Sequence, residues 1–333
     1  FINEFPEIKN KKSDIFFNHL VDNSYSSKKN AMLFSGGVDA YASYFNHQNE
    51  DMDLILIRGA DIPINDEKQW LRTKNSINNE DILGSNQKQF ITMNCRDFYT
   101  YKVDELVLQG SWWGTIQHGL ALTCCIAPLA YQLGYEKIYI ASSYTSELQI
   151  FWGSMPEIDN NIKWANTSVV HDAYHMRRID KIKLIVESSI FLGRNIELRV
   201  CYSELNNGVN CSKCEKCYRT ILGLALFNVN PNSFGFSVDH NLYNNIENMI
   251  DSNLYDDGAR FFWRDILETM KENSIFQFDS EYYEQKSLEN KIEAALSKVN
   301  VRKKSKTQKI KRKLIAKFPN LFKKYLITRR LFK

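Results

Sequence analysis

The stretch AMLFSGGVDAYASYF, residues 31–45, decides the fold. Ala31–Phe34 is an apolar run that reads as a buried strand. It stops at Ser35-Gly36-Gly37-Val38-Asp39, and a helix follows over about Ala40–Asn46. In an open parallel sheet, ligands bind at the carboxyl ends of strands, where the next helix starts. Glycines at that point let the backbone turn sharply and approach a ligand closely. The free N–H groups of the helix start, aided by the helix dipole, favour an anion and above all phosphate. A tight strand–helix turn with glycines for packing is the competing reading. The loop is neither a Walker A motif, since no Gly-Lys-Ser/Thr follows, nor a G-x-G-x-x-G dinucleotide turn.

Working outward, strand-like and helix-like segments alternate. Strands are expected at Ala31–Phe34, Leu54–Ile57, Phe90–Met93, Lys137–Ile140 and Ile196–Val200. Helices are expected near Ile15–Val21, Ala40–Asn46, Glu67–Ile77, Thr115–Leu133 and Arg178–Phe191. The strands are almost continuously apolar, as in a parallel sheet covered on both faces. The alternation predicts a doubly wound α/β domain. Past Asn228 the spacing is helical, so the chain divides into an N-terminal extension (1–29), the α/β domain (30–200), a cysteine segment with its helix (201–227), a helical region (228–300) and a tail (301–333).

Of the 333 residues, 44% are hydrophobic and 25% charged, the balance of an ordinary soluble protein. No apolar run reaches the ~18–20 residues of a membrane span, and no secretory h-region is present, so a cytoplasmic protein is expected. The net charge of +4 is uneven: the tail from Val301 holds 14 Lys/Arg and no acid, leaving −10 on the first 300 residues. In the tail, Leu314, Phe318, Leu321, Tyr325 and Phe332 recur at helical spacing between basic residues. Such a segment suits an anionic surface at the inner membrane, a protein partner, or less readily RNA, and it also suits packing on the acidic body.

Seven cysteines include Cys201, Cys211, Cys214 and Cys217, the last three at C-x2-C-x2-C spacing. Four thiolates within 17 residues can surround one tetrahedral Zn²⁺ in a closed, structural site. An iron–sulfur cluster and unmetallated thiols are the other readings. Cys95, Cys124 and Cys125 read as small buried apolar residues.

Ser-Gly-Gly-x-Asp after the first strand resembles the PP-loop of the N-type ATP pyrophosphatases. That resemblance implies the adenine-nucleotide alpha hydrolase-like (HUP) fold, ATP as substrate and Mg²⁺ as cofactor. It implies that Ser35, Gly36, Gly37 and Val38 hold the β,γ-pyrophosphate, and that Asp39 lies near the phosphates and helps hold Mg²⁺. The motif's final Ser is Ala40 here. Adenine would rest against the end of the second strand, at Ile57 and Arg58. The segment Cys201–Thr220, with Cys201-Tyr202 before the cysteine triplet and Tyr218-Arg219-Thr220 after it, is similar to the zinc segment of 7-cyano-7-deazaguanine synthases, the QueC-like branch. The similarity spans about residues 30–227.

Where that branch has Arg-Asn and Gly-x-Asn on the substrate side, this chain has Gln117-His118-Gly119 and Ala141-Ser142-Ser143, which implies a different substrate. His118 and Ser142 are candidates to face the adenylate. His171-Asp172 with Arg178, Asp180 and Lys181 matches a segment of QueC-like proteins, and Arg178 and Lys181 share a helix face suited to phosphate or carboxylate. Asp172 would also serve as a helix cap. Trp112, Trp113, Trp152 and Trp164 are candidates for a stacking wall or for core.

These readings converge on an adenylating enzyme that converts ATP to AMP and pyrophosphate and activates a carboxylate or amide oxygen for C–N bond formation. Ser35, Asp39, Arg178 and Lys181 are its expected catalytic residues. The acceptor would be a small molecule, peptide or sugar, the donor ammonia or an amine, and a second copy of the chain a candidate partner. RNA modification and a catalytically weak nucleotide-binding module are the alternatives.

Overall fold

The computed structural model describes residues 16–19, 21–26, 29–99, 103, 111–148, 150, 152–201, 210–253, 257–278 and 282–298. The basic tail, the segment 202–209 that contains Tyr202, and most of the N-terminal extension lie outside the described residues. Of the helix expected near Ile15–Val21, the described residues 16–19 and 21 are not helical.

Six strands form one sheet in the order β3-β2-β1-β4-β6-β5. Their ranges are β1 Lys29–Leu33, β2 Met52–Arg58, β3 Lys88–Thr92, β4 Tyr135–Ala141, β5 Lys163–Trp164 and β6 Thr167–Asp172. Every pairing is parallel except β5 with β6. The chain runs outward from β1 to β3, then returns to the other side of β1 for β4 and β6. The direction therefore reverses between β1 and β4, and a crevice opens there beyond the carboxyl ends of the strands.

The helices are α1 Val38–Asn46, α2 Glu67–Asn79, α3 His118–Cys124, α4 Ala127–Leu133, α5 Pro156–Asp159, α6 Arg178–Leu192, α7 Glu215–Ala225, α8 Leu242–Asn253, α9 Asp257–Met270 and α10 Gln285–Ser297. Strand side chains alternate between two cores. Met32, Phe34, Leu54, Leu56 and Tyr139 face the larger one, with α1, α6 and α7. Ala31, Ile55, Ile57 and Ile138 face the smaller one, with Ala121, Ile126 and Ala130 of the α3–α4 layer. The larger core runs without interruption into α8, α9 and α10, where Ile246, Trp263, Leu288 and Ile292 are fully buried. The C-terminal helices thus complete the sheet's cover.

Two further expectations need correction. Ile196–Val200 is not a strand: Ile196 and Leu198 are buried in alternation, but the backbone N–H groups go to scattered acceptors. Leu198 donates to Phe234 O (3.2 Å), Arg199 to Gly36 O (2.6 Å) and Val200 to the Asn210 side chain (2.9 Å). The further parallel strand is instead β6, with only Val169 and Val170 as apolar members. The single helix expected over Thr115–Leu133 is a π-helical turn, Trp113–Gln117, followed by α3 and α4. Pro128 separates the two α-helices, because it lacks an N–H and crowds the carbonyl four residues back, at Cys124.

Candidate functional site

The turn from β1 to α1 sits at the reversal point. Gly36 has φ +76°, a conformation strained for any residue with a side chain, and Gly37 caps α1 with extended backbone. The opening N–H groups of α1 have no partners within the helix. Arg199 holds the turn from behind: its N–H donates to Gly36 O, and its Nη1 to Ser35 O at 3.3 Å. A methyl on Gly37 would come within 3.2 Å of Arg199 O. The Val38 side chain is buried in the core.

Next to the turn lies a knot of charge. Asp39 accepts from Arg178 Nη2 at 2.9 Å, from Lys181 Nζ at 3.2 Å and from Ser143 Oγ at 3.2 Å. Lys181, fully buried, also donates to Ser142 O. Burial pushes the Asp39 carboxyl upward, but Arg178 and Lys181 outweigh it and hold the group below its ordinary range. Burial lowers the Lys181 pKa, with Arg178 adding to the shift and Asp39 opposing it. Arg219 of α7 joins from the other side, buried and lowered first by burial and then by Arg178. Lys216 is pushed down to about 8, by burial first and then by Arg219 and Arg178. Phe262 of α9 lies between the two guanidinium groups, 5.0 Å from Arg178 and 4.4 Å from Arg219. The Nε atoms of both arginines are buried without a hydrogen-bond partner among the described residues. Arg178 and Lys181 contact Asp39, Arg219 and Lys216 stand near them, and Arg219 also meets Glu215 at 3.4 Å, so four cations face two carboxylates and the place suits an anion.

A cavity of about 680 Å³ opens from the turn across the ends of β1, β2 and β4. Ser35, Asp39, Ala40, Ile57, His118, Ser142, His171 and Arg199 are among its lining residues. The structure brings Ser35–Asp39, Arg178, Lys181 and Ser142 together. Ser142 offers its carbonyl to Lys181, while its hydroxyl donates to Tyr144 O at 2.6 Å. His118 stands at the cavity wall between Trp113 (5.3 Å) and Trp152 (5.2 Å). Its Nδ1 is buried without a partner among the described residues, and burial lowers its pKa, which favours the neutral ring. Trp112 and Trp164 do not line this cavity.

Arg58 ends β2, as expected for the strand end, and its side chain points elsewhere. It turns away to Ile64 O and to Glu67 Oε2 (2.5 Å) and lies over Trp70, so it is no wall of the cavity. Asp172 is not a helix cap. It ends β6 and takes bonds from Ser43 Oγ and His47 Nε2 of α1 and the loop after it. The N-cap of α6 is Arg177, whose backbone N–H donates to the Asp180 side chain, in the first turn, at 3.0 Å. Sequence reasoning did not single out Arg199 or Asp159. Arg199 lay in an apparent strand, and Asp159 in a polar stretch without a motif.

The four cysteines Cys201, Cys211, Cys214 and Cys217 converge, with all four Sγ atoms within 4.8 Å of one another. Adjacent Sγ distances are 3.7, 3.7 and 3.5 Å, and none of the four is in a disulfide. A Zn–S bond of ~2.3 Å in tetrahedral geometry separates sulfurs by about 3.8 Å, so the four thiols match a tetrahedral metal site. Of the other cysteines, Cys125 is pushed up to about 12, by burial first, and is correspondingly unreactive.

Comparison with protein-family models, curated proteins and solved structures finds no match for the chain.

Proposed function

We propose that this chain is a PP-loop enzyme of the N-type ATP pyrophosphatase kind, with a HUP-type sheet, that cleaves ATP to AMP and pyrophosphate and transfers the adenylate to an acceptor oxygen. The observation that carries the reading is the cluster of Arg178, Lys181 and Arg219 around Asp39, beside a glycine turn at the sheet's reversal point. The β,γ-phosphates would lie on the N–H groups of Gly36–Asp39, with Ser35 at the entrance and the base over Ile57. The departing pyrophosphate gains negative charge in the transition state, and fixed N–H donors and buried cations stabilise charge where it develops. Activation turns a poor oxide leaving group into AMP, so that a nitrogen nucleophile such as ammonia or an amine can displace it.

Three of the roughly four acceptor sites of the Asp39 carboxylate are already taken by Arg178, Lys181 and Ser143. Asp39 therefore acts mainly by fixing the two cations, and Mg²⁺ would arrive on the nucleotide's phosphate oxygens. Zn²⁺ at the four cysteines would be structural, because a closed four-thiolate shell has no position for substrate. The test is a pyrophosphate-release screen with Mg·ATP and ammonia over candidate carboxylates and amides, with wild type beside Asp39→Ala. Release that depends on an acceptor and is lost in the variant supports the reading. Nucleotide binding without release for any acceptor would instead favour a binding module.

A further inference from the structure

The end of the cavity away from the glycine turn carries a second constellation. Met32, Tyr139 and Val170 are register partners across β1, β4 and β6, and His171 stands one residue beyond Val170. His171 is thus two strand spacings, about 10 Å, across the sheet from the end of β1. It lines the cavity, yet its side chain is only 3% exposed. Its Nδ1 lies 2.7 Å from Asp159 Oδ2, and its backbone N–H is fixed by Asn160 Oδ1 at 2.7 Å. Asp159 is fully buried and accepts also from Ser154 Oγ at 2.6 Å, while its other oxygen has no partner among the described residues. A buried carboxylate against Nδ1 holds a proton on that nitrogen and leaves Nε2 as a lone pair. Among the described residues no hydrogen bond involves Nε2 of His171.

The groups around this imidazole differ in sign from those at the turn. Glu157 of α5 lines the same cavity on the His171 side, where its charge reaches Tyr174, and it forms no ion pair among the described residues; Asp61 lines the cavity beyond the end of β2, where its charge reaches His118 and Lys216. His118 contributes a second, neutral imidazole, and the Tyr174 ring lies 5.6 Å from that of His171. The turn end of the cavity, with Arg178 and Lys181 behind Asp39, therefore suits an anion, and the His171 end, with Glu157 in its wall, suits a cation beside an imidazole whose Nε2 has no hydrogen-bond partner among the described residues.

We propose that this second end binds a primary amine and that His171 is the catalytic base that takes its proton, with Asp159 as a positioning residue. This rests on the adenylation reading above. The amine enters as an ammonium ion, drawn by Glu157. Nε2 of His171 takes one proton, and the freed lone pair attacks the carbon that bears the AMP oxygen. The C–N bond forms, the C–O bond to AMP breaks, and AMP leaves with the bonding electrons. The second nitrogen proton goes to the departing phosphate. Asp159 stabilises the imidazolium and returns the ring to the same tautomer.

The test uses full-length protein labelled with ¹⁵N-histidine, with methylammonium chloride as the probe and tetramethylammonium chloride as the control that has no proton to give. His171→Asn assigns the resonance. The expected result is a His171 ring protonated at Nδ1, an Nε2 signal that shifts saturably with methylammonium and not with the control, and a tautomer ratio moved more than tenfold toward Nε2–H in Asp159→Asn. With methylamine as the nucleophile at about pH 7, and the acceptor found in the pyrophosphate-release screen, His171→Asn should lower amine-dependent AMP formation about 100-fold or more. Its affinity for Mg²⁺ and α,β-methylene ATP should change less than threefold. A ring protonated at Nε2, a signal indifferent to methylammonium, or a loss confined to nucleotide binding would overturn the proposal. The backbone amides of Gly36–Asp39, followed in the same samples on adding the nucleotide, report separately on the adenylation reading. If they stay still, that reading fails on its own, whatever His171 does.

Discussion

At the scale of single residues, two glycines with positive φ separate conformational strain from steric exclusion. Gly36 has φ +76° and open space around it, the nearest atom to an added methyl being Arg199 Cβ at 3.5 Å. Gly36→Ala should cost about 1–2 kcal/mol, the price of left-handed backbone alone. Gly59, at φ +96°, would place a methyl 1.7 Å from Met93 O, a backbone atom fixed next to β2 by the Met93 N–H bond to Arg58 O. Gly59→Ala should cost about 3 kcal/mol or more, since both strain and a backbone clash apply. Urea denaturation of the two variants checks the order. Arg178→Met removes one charge-assisted donor and should weaken binding of Mg²⁺ and α,β-methylene ATP about 10–100-fold by calorimetry. Arg178, Lys181 and Asp39 could be chosen from the sequence because their types and spacing suggest phosphate chemistry. Arg199 could not, because its contribution comes from where a non-strand segment happens to pass behind the turn.

At the scale of elements, β6 and the site depend on one polar tie. Asp172 at the end of β6 takes Ser43 and His47, and His47 also meets Glu50 at 2.6 Å. Burial lowers the His47 pKa, but the bonds to Asp172 and Glu50 outweigh it, and the net shift is upward. A histidine whose folded pKa exceeds its unfolded value adds stability fully below the unfolded pKa, about 6.5, and loses it as pH rises through the folded value. Wild type should therefore lose stability as pH rises from the unfolded value, about 6.5, through the raised folded one, and His47→Gln should lose less over the same rise. Melting curves in matched buffers give the comparison. β6 was hidden in the sequence for the same reason that it matters: its residues Thr167, His171 and Asp172 make polar contacts, so the apolar signal of a strand is thin. Strands β1, β2 and β4 were legible because buried apolar residues occupy both of their faces, whereas the half-buried β3 was legible only from Phe90 and Ile91.

At the scale of the whole molecule, the cysteine segment and the C-terminal helices support the turn from behind. Cys201 follows Arg199 by two residues, so a metal at the four cysteines would anchor the segment that holds Gly36 O. Trp263 of α9, fully buried, donates to Glu215 of α7 at 2.9 Å, next to Cys214. Chelation of the metal should lower the melting temperature by about 5 °C or more and weaken nucleotide binding as well. Scanning calorimetry with and without a chelator, on protein of measured zinc content, decides it. The cysteine spacing announced this site in advance. That α8–α10 share one core with α6 and α7 did not follow from helical periodicity, which shows that a helix has an apolar face and not what covers it.

The central claim is that the main chain from Gly36 to Asp39 holds the two outer phosphates of ATP. A crystal structure with Mg²⁺ and α,β-methylene ATP tests it most directly. The account predicts β- and γ-phosphate oxygens within hydrogen-bonding distance of those N–H groups, with Arg178 or Lys181 turned toward them. Nucleotide bound elsewhere, with the turn vacant at saturating ligand, would contradict it.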